Sequence, residues 1–444
     1  MKTNTYEISD ENIIIDKAPK AILVGLMHGD MESSKFEHSL TELKELAKAC
    51  DLEAAGTVTQ TLPHPDHSTF IGSGKVEELR NLISMLDADI VIFSDTLSPI
   101  QLRNLEKILD TEVIDRTGLI LQIFAKRART RESRMQVEYA QLQFMLPRLA
   151  GMRTELSRQG GGSGRLSNKG AGEKKLELDR RRIEKRMAEL RRELETIERE
   201  RDTQRAKRLS SDVPRISLVG YTNAGKSTLL NALLEKSHVE DIDNKKVLQK
   251  DMLFATLDTT VRRISAPGHK PFLLSDTVGF IDELPTTLVK AFRSTLAEAV
   301  YADILLEVID FSDPEYMTHI EVTERTLREI GAGAIPIIYV FNKADVVIAG
   351  SEHTSLEIPH VKSGRIYMSA ENGIGLDELM TLIEKTLEGE KKEATFLIPY
   401  SDGAALYELT NNAEVLETEY MEGGTKLVVK CSMRDLKRHE NYII

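Results

Sequence analysis

The segment Gly220–Ser227, which reads GYTNAGKS, constrains the fold of this chain more than any other feature. It follows an apolar run that begins at Ile216 and it opens a helical pattern, which is the context that a phosphate loop requires. Its glycines let backbone N–H groups turn toward phosphate oxygens, and the following helix adds its positive end. We predict that Lys226 contacts the β and γ phosphates of a nucleotide and that Ser227 ligates Mg²⁺.

The loop lies within an alternation of strand-like and helix-like segments that runs from Val213 to Gly389. This rhythm is typical of a doubly wound α/β sheet. We therefore predict an α/β domain over residues 211–390. Its predicted strands are Ile216–Gly220, Phe272–Asp276, Ile304–Asp310, Ile337–Asn342 and Ile366–Met368.

A second motif, DTVG, lies at the end of the predicted strand Phe272–Asp276. Asp276 could hold the metal through a water molecule, and the N–H of Gly279 could report the γ-phosphate. In many nucleotide switches a Gln follows this motif and orients the attacking water. Phe280 stands there in this chain, and its ring can neither donate nor accept a hydrogen bond. We therefore predict slow hydrolysis without a partner, about 10⁻⁴ to 10⁻² per second.

Two further motifs indicate guanine as the base. Asn342–Asp345, NKAD, ends a buried strand, and the Asp345 carboxylate could accept hydrogen bonds from guanine N1–H and the exocyclic amine. Adenine offers neither donor in that arrangement, so the carboxylate would lose its partners. Ser369–Glu371, SAE, follows one more strand and could supply a backbone N–H to the guanine oxygen. Together the motifs predict a guanine-nucleotide-binding domain.

Smaller patterned segments flank this domain. Residues 1–125 alternate strand-like and helix-like runs, which predicts a small N-terminal α/β domain. Its strand-like runs are Ala21–Leu26, Ile90–Phe93 and Val113–Ile114, and its helical runs are Phe36–Ala49 and Val76–Leu86. Residues 391–444 predict a small α+β domain with a hairpin turn at the paired glycines. Its runs are Thr395–Ile398, Gly403–Leu409 and Thr425–Lys430, and the turn is Gly423–Gly424.

Residues 126–210 change to a heptad period, with two apolar seams on either side of a glycine-rich segment. Glycine this dense cannot continue a helix, so we predict an antiparallel helical hairpin whose reversal spans Gly160–Gly172. Pro147 should bend the first arm or end it early. The first seam is Met135, Tyr139, Leu142, Leu146 and Leu149, and the second is Leu176, Ile183, Met187, Leu190, Leu194 and Ile197.

Charge is unevenly distributed along the chain, whose net charge is −12. The segment Lys126–Arg208 carries 24 Lys and Arg against 13 Asp and Glu, a net charge of +11, so the rest carries −23. This asymmetry indicates that one segment meets a polyanion. The outer face of the second arm could equally be a solvated helix with i,i+4 Glu–Arg pairs. The cations around the predicted tip are Arg153, Arg158, Arg165, Lys169, Lys174 and Lys175.

Composition argues against two classes of protein. The longest apolar run, Ala334–Phe341, has eight residues and includes Pro336, well short of the ~20 that a membrane span needs. Cys50 and Cys431 are too few and too far apart for a disulfide framework or a cysteine-rich metal site. The N-terminus is acidic and polar, unlike a secretory signal. We expect a cytoplasmic protein, and peripheral association with a membrane stays open.

The chain resembles the HflX family of ribosome-associated GTPases over essentially its full length. The resemblance is carried by the strings HPDHSTFIGSGKVEEL, QFMLPR, GEKKLELDRR, GYTNAGKS, LFATLD and DTVGF, which begin at His64, Gln143, Gly172, Gly220, Leu253 and Asp276. It implies a P-loop GTPase domain and a GTP hydrolase that is stimulated on the large (50S) ribosomal subunit. It also implies splitting of stalled ribosomes, with the hairpin tip reaching the 23S rRNA of the peptidyl-transferase region. RNA phosphates would supply the polyanion for the tip cations. We expect a monomer.

The same resemblance assigns the nucleotide contacts. Spacing alone leaves Thr256, Thr259 and Thr260 open as a further Mg²⁺ ligand, and the resemblance implies Thr256 beside Ser227. Lys226, Thr256 and Gly279 are the implied catalytic residues. The predicted contacts to GTP or GDP are Gly220, Tyr221, Thr222, Asn223, Ala224, Gly225, Lys226, Ser227, Thr228, Phe254, Ala255, Thr256, Leu257, Asp258, Asp276, Thr277, Val278, Gly279, Asn342, Lys343, Ala344, Asp345, Ser369, Ala370 and Glu371.

Three segments depart from the usual family pattern. The glycine loop Gln159–Glu173 is longer, a charged insertion lies near Glu240–Lys250, and Thr259 follows Asp258 where a Pro is usual. One hypothesis is that the longer loop displaces drugs bound near the peptidyl-transferase centre. The rival hypothesis is a regulatory GTPase whose coiled hairpin binds a protein partner or dimerises, without a ribosome.

Three smaller patterns each have two explanations. Gly72–Lys75, GSGK, looks like a short phosphate loop that would bind ATP, but a turn that starts a helix explains it as well. His64, Asp66 and His67 could ligate a metal or could lie in a solvated loop. Asn223 matches an Asn that helps to bind K⁺ in some related GTPases, or it could brace the first switch, which the resemblance implies is Phe254–Asp258.

Overall fold

The computed structural model describes residues 18–29, 31–158, 169–209, 213–237, 260–277, 279–280, 298–350, 357–388, 392–431 and 433–444. For residues 150–158, 169–176 and 202–209 it describes only the helical backbone. The chain divides into two compact units, of which the first contains the described residues up to 206 and the second contains the described residues from 207 onward. Among the described residues, no helix combines the length and the apolar composition that crossing a membrane requires.

The first unit begins with a four-stranded parallel sheet in the order β2-β1-β3-β4. Parallel strands are buried on both faces, which explains why β1 and β3 read as apolar runs. A capping box starts α3, because Ser98 Oγ accepts from the Gln101 N–H and Gln101 Oε1 accepts from the Ser98 N–H. The elements are β1 (Lys20–His28), α1 (Ser33–Ala49), β2 (Glu53–Leu62), α2 (Ser73–Leu86), β3 (Ile90–Phe93), α3 (Pro99–Leu109), β4 (Glu112–Asp115) and α4 (Arg116–Arg127).

Two long helices complete this unit and form the predicted antiparallel pair. Glu132 near the start of the first helix lies 2.7 Å from Arg201 near the end of the second. Glu138, six residues later, accepts from Nε and Nη2 of Arg186 at 2.7 and 2.9 Å. Because later residues of one helix meet earlier residues of the other, the helices run in opposite directions. They are α5 (Arg131–Arg158) and α6 (Lys169–Leu209).

Two details of the hairpin prediction were wrong, namely an early end of the first arm at Pro147 and the position of two glycines. Pro147 does not end the first arm, because α5 continues through it to Arg158. A proline removes one backbone hydrogen bond from the helix, and Arg148, the next residue, is held by a hydrogen bond to Asp115. Gly170 and Gly172, predicted within the reversal, lie in the first turn of α6, where the N–H groups have no intrahelical acceptors in any helix. The glycines from 160 to 164 lie outside the described residues.

A buried carboxylate joins α5 to the parallel sheet. Asp115, at the end of β4, is fully buried and accepts from the N–H groups of Gly118 and Leu97 at 2.8 and 3.1 Å. Arg148 on α5 donates to the same carboxylate at 2.6 Å, and its guanidinium lies 3.5 Å from the centre of the Phe144 ring. Sheet, helix α4 and hairpin therefore meet at one charged, hydrogen-bonded group.

The second unit contains a seven-stranded sheet in the order β10-β11-β9-β8-β5-β7-β6. All neighbours are parallel except for the two edge strands, β6 and β10. Chain order reverses on either side of β5, so the loop after β5 lies at a topological switch point. The elements are β5 (Arg215–Val219), α7 (Lys226–Lys236), β6 (Thr260–Ile264), β7 (Phe272–Asp276), β8 (Ile304–Asp310), α8 (Tyr316–Ile330), β9 (Ile337–Asn342), α9 (Ala344–Gly350), β10 (His360–Lys362), β11 (Arg365–Tyr367) and α10 (Leu376–Glu388).

The C-terminal residues form a three-stranded antiparallel sheet in the order β12-β14-β13. The predicted glycine turn joins β13 to β14. Gly424 has φ 151°, and a Cβ there would lie 2.2 Å from the Ile398 carbonyl oxygen, so the position requires glycine. The elements are β12 (Lys392–Ile398), α11 (Gly403–Asn412), β13 (Glu414–Met421), β14 (Gly424–Cys431) and α12 (Met433–Arg438).

Candidate functional site

The loop between β5 and α7 is packed so closely against β8 and β9 that two positions admit only glycine. Gly220 has φ 134°, and a Cβ there would lie 2.2 Å from the Val308 carbonyl oxygen. Gly225 has φ 94°, and a Cβ there would lie 2.2 Å from Asn342 Nδ2. The glycines thus bring the loop onto the sheet edge and let α7 begin directly at Lys226.

Lys226 lies buried at the centre of the loop. Its Nζ donates to the carbonyl oxygens of Gly220 at 2.9 Å and of Tyr221 at 2.6 Å. Burial lowers the pKa of this ammonium group to about 8, and the negative charge of Asp276 opposes that shift. An anion bound in the loop would favour the charged form further, so the loop is suited to hold a phosphate group.

The hydroxyl of Ser227 and the carboxylate of Asp276 lie side by side. Ser227 Oγ donates to Asp276 Oδ2 at 3.0 Å, and the Asp276 side chain is fully buried. The next residue, Thr277, fixes this segment to β5 because its Oγ1 donates to the Leu218 carbonyl oxygen at 2.6 Å. A hydroxyl oxygen next to a carboxylate oxygen is a donor set that suits Mg²⁺.

Phe280 is tied to the phosphate loop through its backbone. Its N–H donates to the Gly220 carbonyl oxygen at 3.1 Å, and its carbonyl oxygen accepts from the Thr222 N–H at 2.8 Å. A Cβ on the neighbouring Gly279 would lie 2.9 Å from the Thr222 side chain and 3.1 Å from Lys226 Nζ. The ring of Phe280 is buried. Sequence reasoning missed this pairing, and no residue pattern signals it.

Asn342 links the loop to the two base-recognition motifs. Its Nδ2 donates to the Ala224 carbonyl oxygen at 3.0 Å, and its Oδ1 accepts from the Ala370 N–H at 2.9 Å. The Ser369 N–H donates to the Ile374 carbonyl oxygen, so two of the three N–H groups in Ser369–Glu371 already have protein acceptors. The Asn342 side chain therefore holds the phosphate loop, the NKAD motif and the SAE motif in one arrangement.

The NKAD motif is supported by two residues that the sequence reasoning did not name as site residues, Asp310 and Asn372. Lys343 Nζ donates to Asp310 Oδ2 at 2.6 Å, which ties the motif to the end of β8. Asn372 Nδ2 donates to Asp345 Oδ2 at 2.9 Å and to Ser369 Oγ at 3.1 Å. Asn372 thus orients the carboxylate that is predicted to select guanine.

Comparison with known proteins identifies the family. Three family models match in order along the chain: GTP-binding GTPase N-terminal over residues 37–125, GTP-binding GTPase Middle Region over residues 127–208, and 50S ribosome-binding GTPase over residues 215–343. GTPase HflX of Caldanaerobacter subterraneus subsp. tengcongensis is 42% identical over 436 residues, which cover 98% of this chain and 96% of the relative. GTPase HflX of Escherichia coli is 39% identical over 430 residues, which cover 95% and 96%. The chain belongs to the HflX family.

Membership confirms several predictions. Like its HflX relatives, the chain is a GTPase that binds GTP, it has the P-loop GTPase fold, and its family is associated with ribosomes. Among solved structures, the crystal structure of SsGBP in complex with GDP is similar to this chain with a TM-score of 0.44. The two sequences are 25% identical, and the match covers 82% of this chain and 97% of SsGBP.

Part of the predicted HflX site lies outside the described residues. This part comprises Phe254, Ala255, Thr256, Leu257, Asp258 and Val278. Of the three threonine candidates for the metal, Thr260 begins β6 and pairs with Asp276 in β7. Arg165 at the predicted tip also lies outside the described residues, whereas helical backbone alone is described for Arg153, Arg158, Lys169, Lys174 and Lys175.

The smaller patterns lie in ordinary local structure. Gly72 precedes α2 and its N–H donates to Gln60 Oε1 at 2.9 Å, while Lys75 pairs with Glu78 on the helix surface at 2.8 Å. This geometry favours a helix start over a second phosphate loop. Asp66 accepts from the Ser68 and Thr69 N–H groups, and these bonds lower its pKa.

The histidines on either side of Asp66 are exposed, which favours the solvated loop over a metal site. Asn223 is exposed in the phosphate loop, with φ 60°. That position leaves the K⁺ and brace explanations open.

Proposed function

We propose that this HflX-family protein binds the 50S subunit in its GTP form and splits stalled ribosomes. The observation that carries the proposal is the cationic hairpin, which is joined to the N-terminal domain through the buried Asp115–Arg148 pair. A net charge of +11 on this segment of an otherwise acidic chain suits a surface of RNA phosphates. Association of the family with ribosomes supplies such a surface.

In the proposed mechanism the predicted site residues hold the nucleotide. Lys226 neutralises charge that develops on the β and γ phosphates, and Asp345 accepts the guanine donors. Ser227, Asp276 and Thr256 would hold Mg²⁺, which neutralises further phosphate charge when it is bound. Gly279 couples the γ-phosphate to the second switch, the segment that contains the DTVG motif and Phe280.

The buried ring of Phe280 supports a need for the ribosome in hydrolysis. The residue stands where a water-orienting Gln lies in many switches, and its backbone is already paired with the phosphate loop. The ring of Phe280 cannot orient water, and its N–H already donates to the Gly220 carbonyl oxygen. We propose that a group on the 50S subunit does so, which makes hydrolysis the step that releases the protein.

Sedimentation with purified 50S subunits tests the proposal. Protein loaded with a non-hydrolysable GTP analogue should pellet with 50S, and GDP-loaded protein should not. Replacing Arg153, Arg158 and Arg165 with Ala should weaken this binding. The matched control replaces Arg180, Arg181 and Arg191, which form i,i+4 pairs with glutamates on α6, and should bind nearly as the parent does.

Sedimentation, together with a splitting assay, decides between the ribosomal proposal and the regulatory GTPase with a protein partner. Splitting is measured as a fall in light scattering from 70S ribosomes, and it should require the triphosphate form. If 50S subunits neither bind the GTP form nor accelerate hydrolysis, the ribosomal proposal fails. Concentration-dependent dimerisation without 50S binding would instead support the regulatory GTPase with a protein partner.

We also propose that the long glycine loop displaces drugs near the peptidyl-transferase centre. Its support is the length of the loop Gln159–Glu173 together with its cations Arg165 and Lys169. Cells that carry a version lacking residues 165–168 should become more sensitive to such drugs. Unchanged sensitivity would contradict this part while leaving ribosome splitting untouched.

A further inference from the structure

The ring of Tyr221 in the phosphate loop stacks on the imidazole of His319 in α8. The ring centroids are 3.8 Å apart and the planes differ by only 10°. Both side chains are buried. A close, nearly parallel stack between buried rings restrains both partners, and here one partner belongs to the loop that receives the phosphates.

The backbone of Tyr221 contacts both segments that respond to the third phosphate. Its carbonyl oxygen accepts the hydrogen bond from Lys226 Nζ at 2.6 Å. It also forms a parallel β-bridge with Phe280, directly after the DTVG motif. Any shift of Tyr221 therefore moves an acceptor of Lys226 and a backbone partner of the second switch together.

His319 is itself held in place by its helix. Its N–H donates to the Glu315 carbonyl oxygen at 3.1 Å, and its Nδ1 lies 3.9 Å from Asp313 Oδ2. Val322 and Leu327, further along the same helix, are buried. The imidazole is thus presented to the loop from a fixed support, as a positioning group requires.

We propose that His319 is a positioning residue for GTP binding, whose ring supports Tyr221 and through it fixes Lys226 and the Phe280 backbone. The imidazole acts by stacking and does not contact the nucleotide. The role goes beyond ribosome splitting, because it concerns the isolated GTPase.

Substitutions that keep or remove the ring test this role. His319→Ala should weaken the binding of fluorescent GDP and GTP analogues to the isolated full-length protein by about threefold to tenfold, the range expected for a buried aromatic pair. His319→Phe keeps a ring without its nitrogens and should bind within about twofold of the parent. Met317→Ala, on the exposed side of the same helix, should leave affinity unchanged.

A double-mutant cycle separates stacking from a general loss of structure. Tyr221→Leu removes the other ring, so Tyr221→Leu with His319→Ala should lose no more affinity than either single variant. Additive losses, parental affinity in His319→Ala, or equal defects in His319→Phe and His319→Ala would each overturn the proposal. A thermal unfolding measurement on each variant checks that it is folded. If His319→Ala does not fold, Tyr221→Leu and His319→Phe still decide, because the proposal requires loss in the first and rescue in the second.

Discussion

At the scale of single residues, the Asp345 carboxylate gives the most direct test of base selection. It is oriented by Asn372 and can accept hydrogen bonds from N1–H and from the exocyclic amine of guanine. Asp345→Asn replaces an acceptor with a donor, which suits the second carbonyl of xanthine and opposes the guanine amine. We expect the affinity for GTP to fall by about 100-fold or more, with a gain for xanthosine triphosphate, measured by competition against a fluorescent nucleotide.

Asn372→Ala is the matched control for that prediction. It removes the side chain that orients Asp345 but keeps the carboxylate, so selectivity for guanine over xanthine should persist with a modest loss of affinity. If Asp345→Asn bound GTP and xanthosine triphosphate with the same affinities as the parent does, that result would contradict the assignment.

Glu307 is a buried acid in the middle of β8. It is 1% exposed, and neither carboxyl oxygen has a hydrogen-bond partner among the described residues. Burial raises the pKa of this carboxyl to about 8, and the charge of Glu324 adds to the shift. Tyr339 donates to Glu324 at 2.7 Å, and burial raises the pKa of that phenol to about 12. The structure thus favours the protonated form of Glu307 at neutral pH.

The raised pKa predicts a loss of stability with rising pH. Below pH 4.5 the carboxyl is protonated in both folded and unfolded chains; above it, the unfolded chain ionises first. The free energy of unfolding should therefore fall between pH 4.5 and about 8, by about 5 kcal/mol, and then level off. Glu307→Gln should remove this slope in urea unfolding measured from pH 5 to 8.5. An unchanged slope would show that Glu307 is ionised in the folded state.

At the scale of secondary structure, apolar content decided what could be predicted. The buried parallel strands β7, β8 and β9 have the predicted bounds, because burial on both faces makes each of them a mostly apolar run. The strands β2 and β13 were missed, because polar and exposed residues interrupt them. Predicting them requires knowing their neighbours in the sheet.

The motifs of the site could be predicted, but the contacts between them could not. Glycine spacing and strand ends identified Lys226, Ser227 and Asp345, because local chemistry determines them. The bridge through Asn342 and the stack of Tyr221 on His319 join residues about a hundred positions apart in the chain. Such contacts depend on tertiary packing, which leaves no local pattern.

The Asp115–Arg148 pair should stabilise the hairpin and the N-terminal sheet together. Asp115→Ala leaves a buried guanidinium and two N–H groups without their acceptor, so we expect a loss of about 3 kcal/mol in urea unfolding of the full chain. Glu193→Ala is the matched control, because its ion pair with Arg131 is exposed and should contribute little. Equal losses in both variants would contradict the special role of the buried pair.

At the scale of the whole molecule, charge asymmetry predicts a strong dependence on salt. If the hairpin neutralises RNA phosphates, the logarithm of 50S affinity should fall linearly with the logarithm of salt concentration. Replacing Arg153, Arg158 and Arg165 with Ala should reduce the slope by about 2 to 3, since each contact contributes about 0.7 to 0.9. A slope that these replacements leave unchanged would indicate that other residues meet the RNA.

The attachment of α5 to the sheet also has a mechanical consequence. From Arg148 the helix continues to Arg158, which at 1.5 Å per residue is an arm of about 15 Å. The arm is attached through the hydrogen-bonded ion pair of Arg148 with Asp115. Such a pair resists sliding better than an apolar contact does, because its hydrogen bonds fix direction as well as distance. We therefore expect a sideways force on the arm to reach the parallel sheet through β4, so that the hairpin would act as a lever.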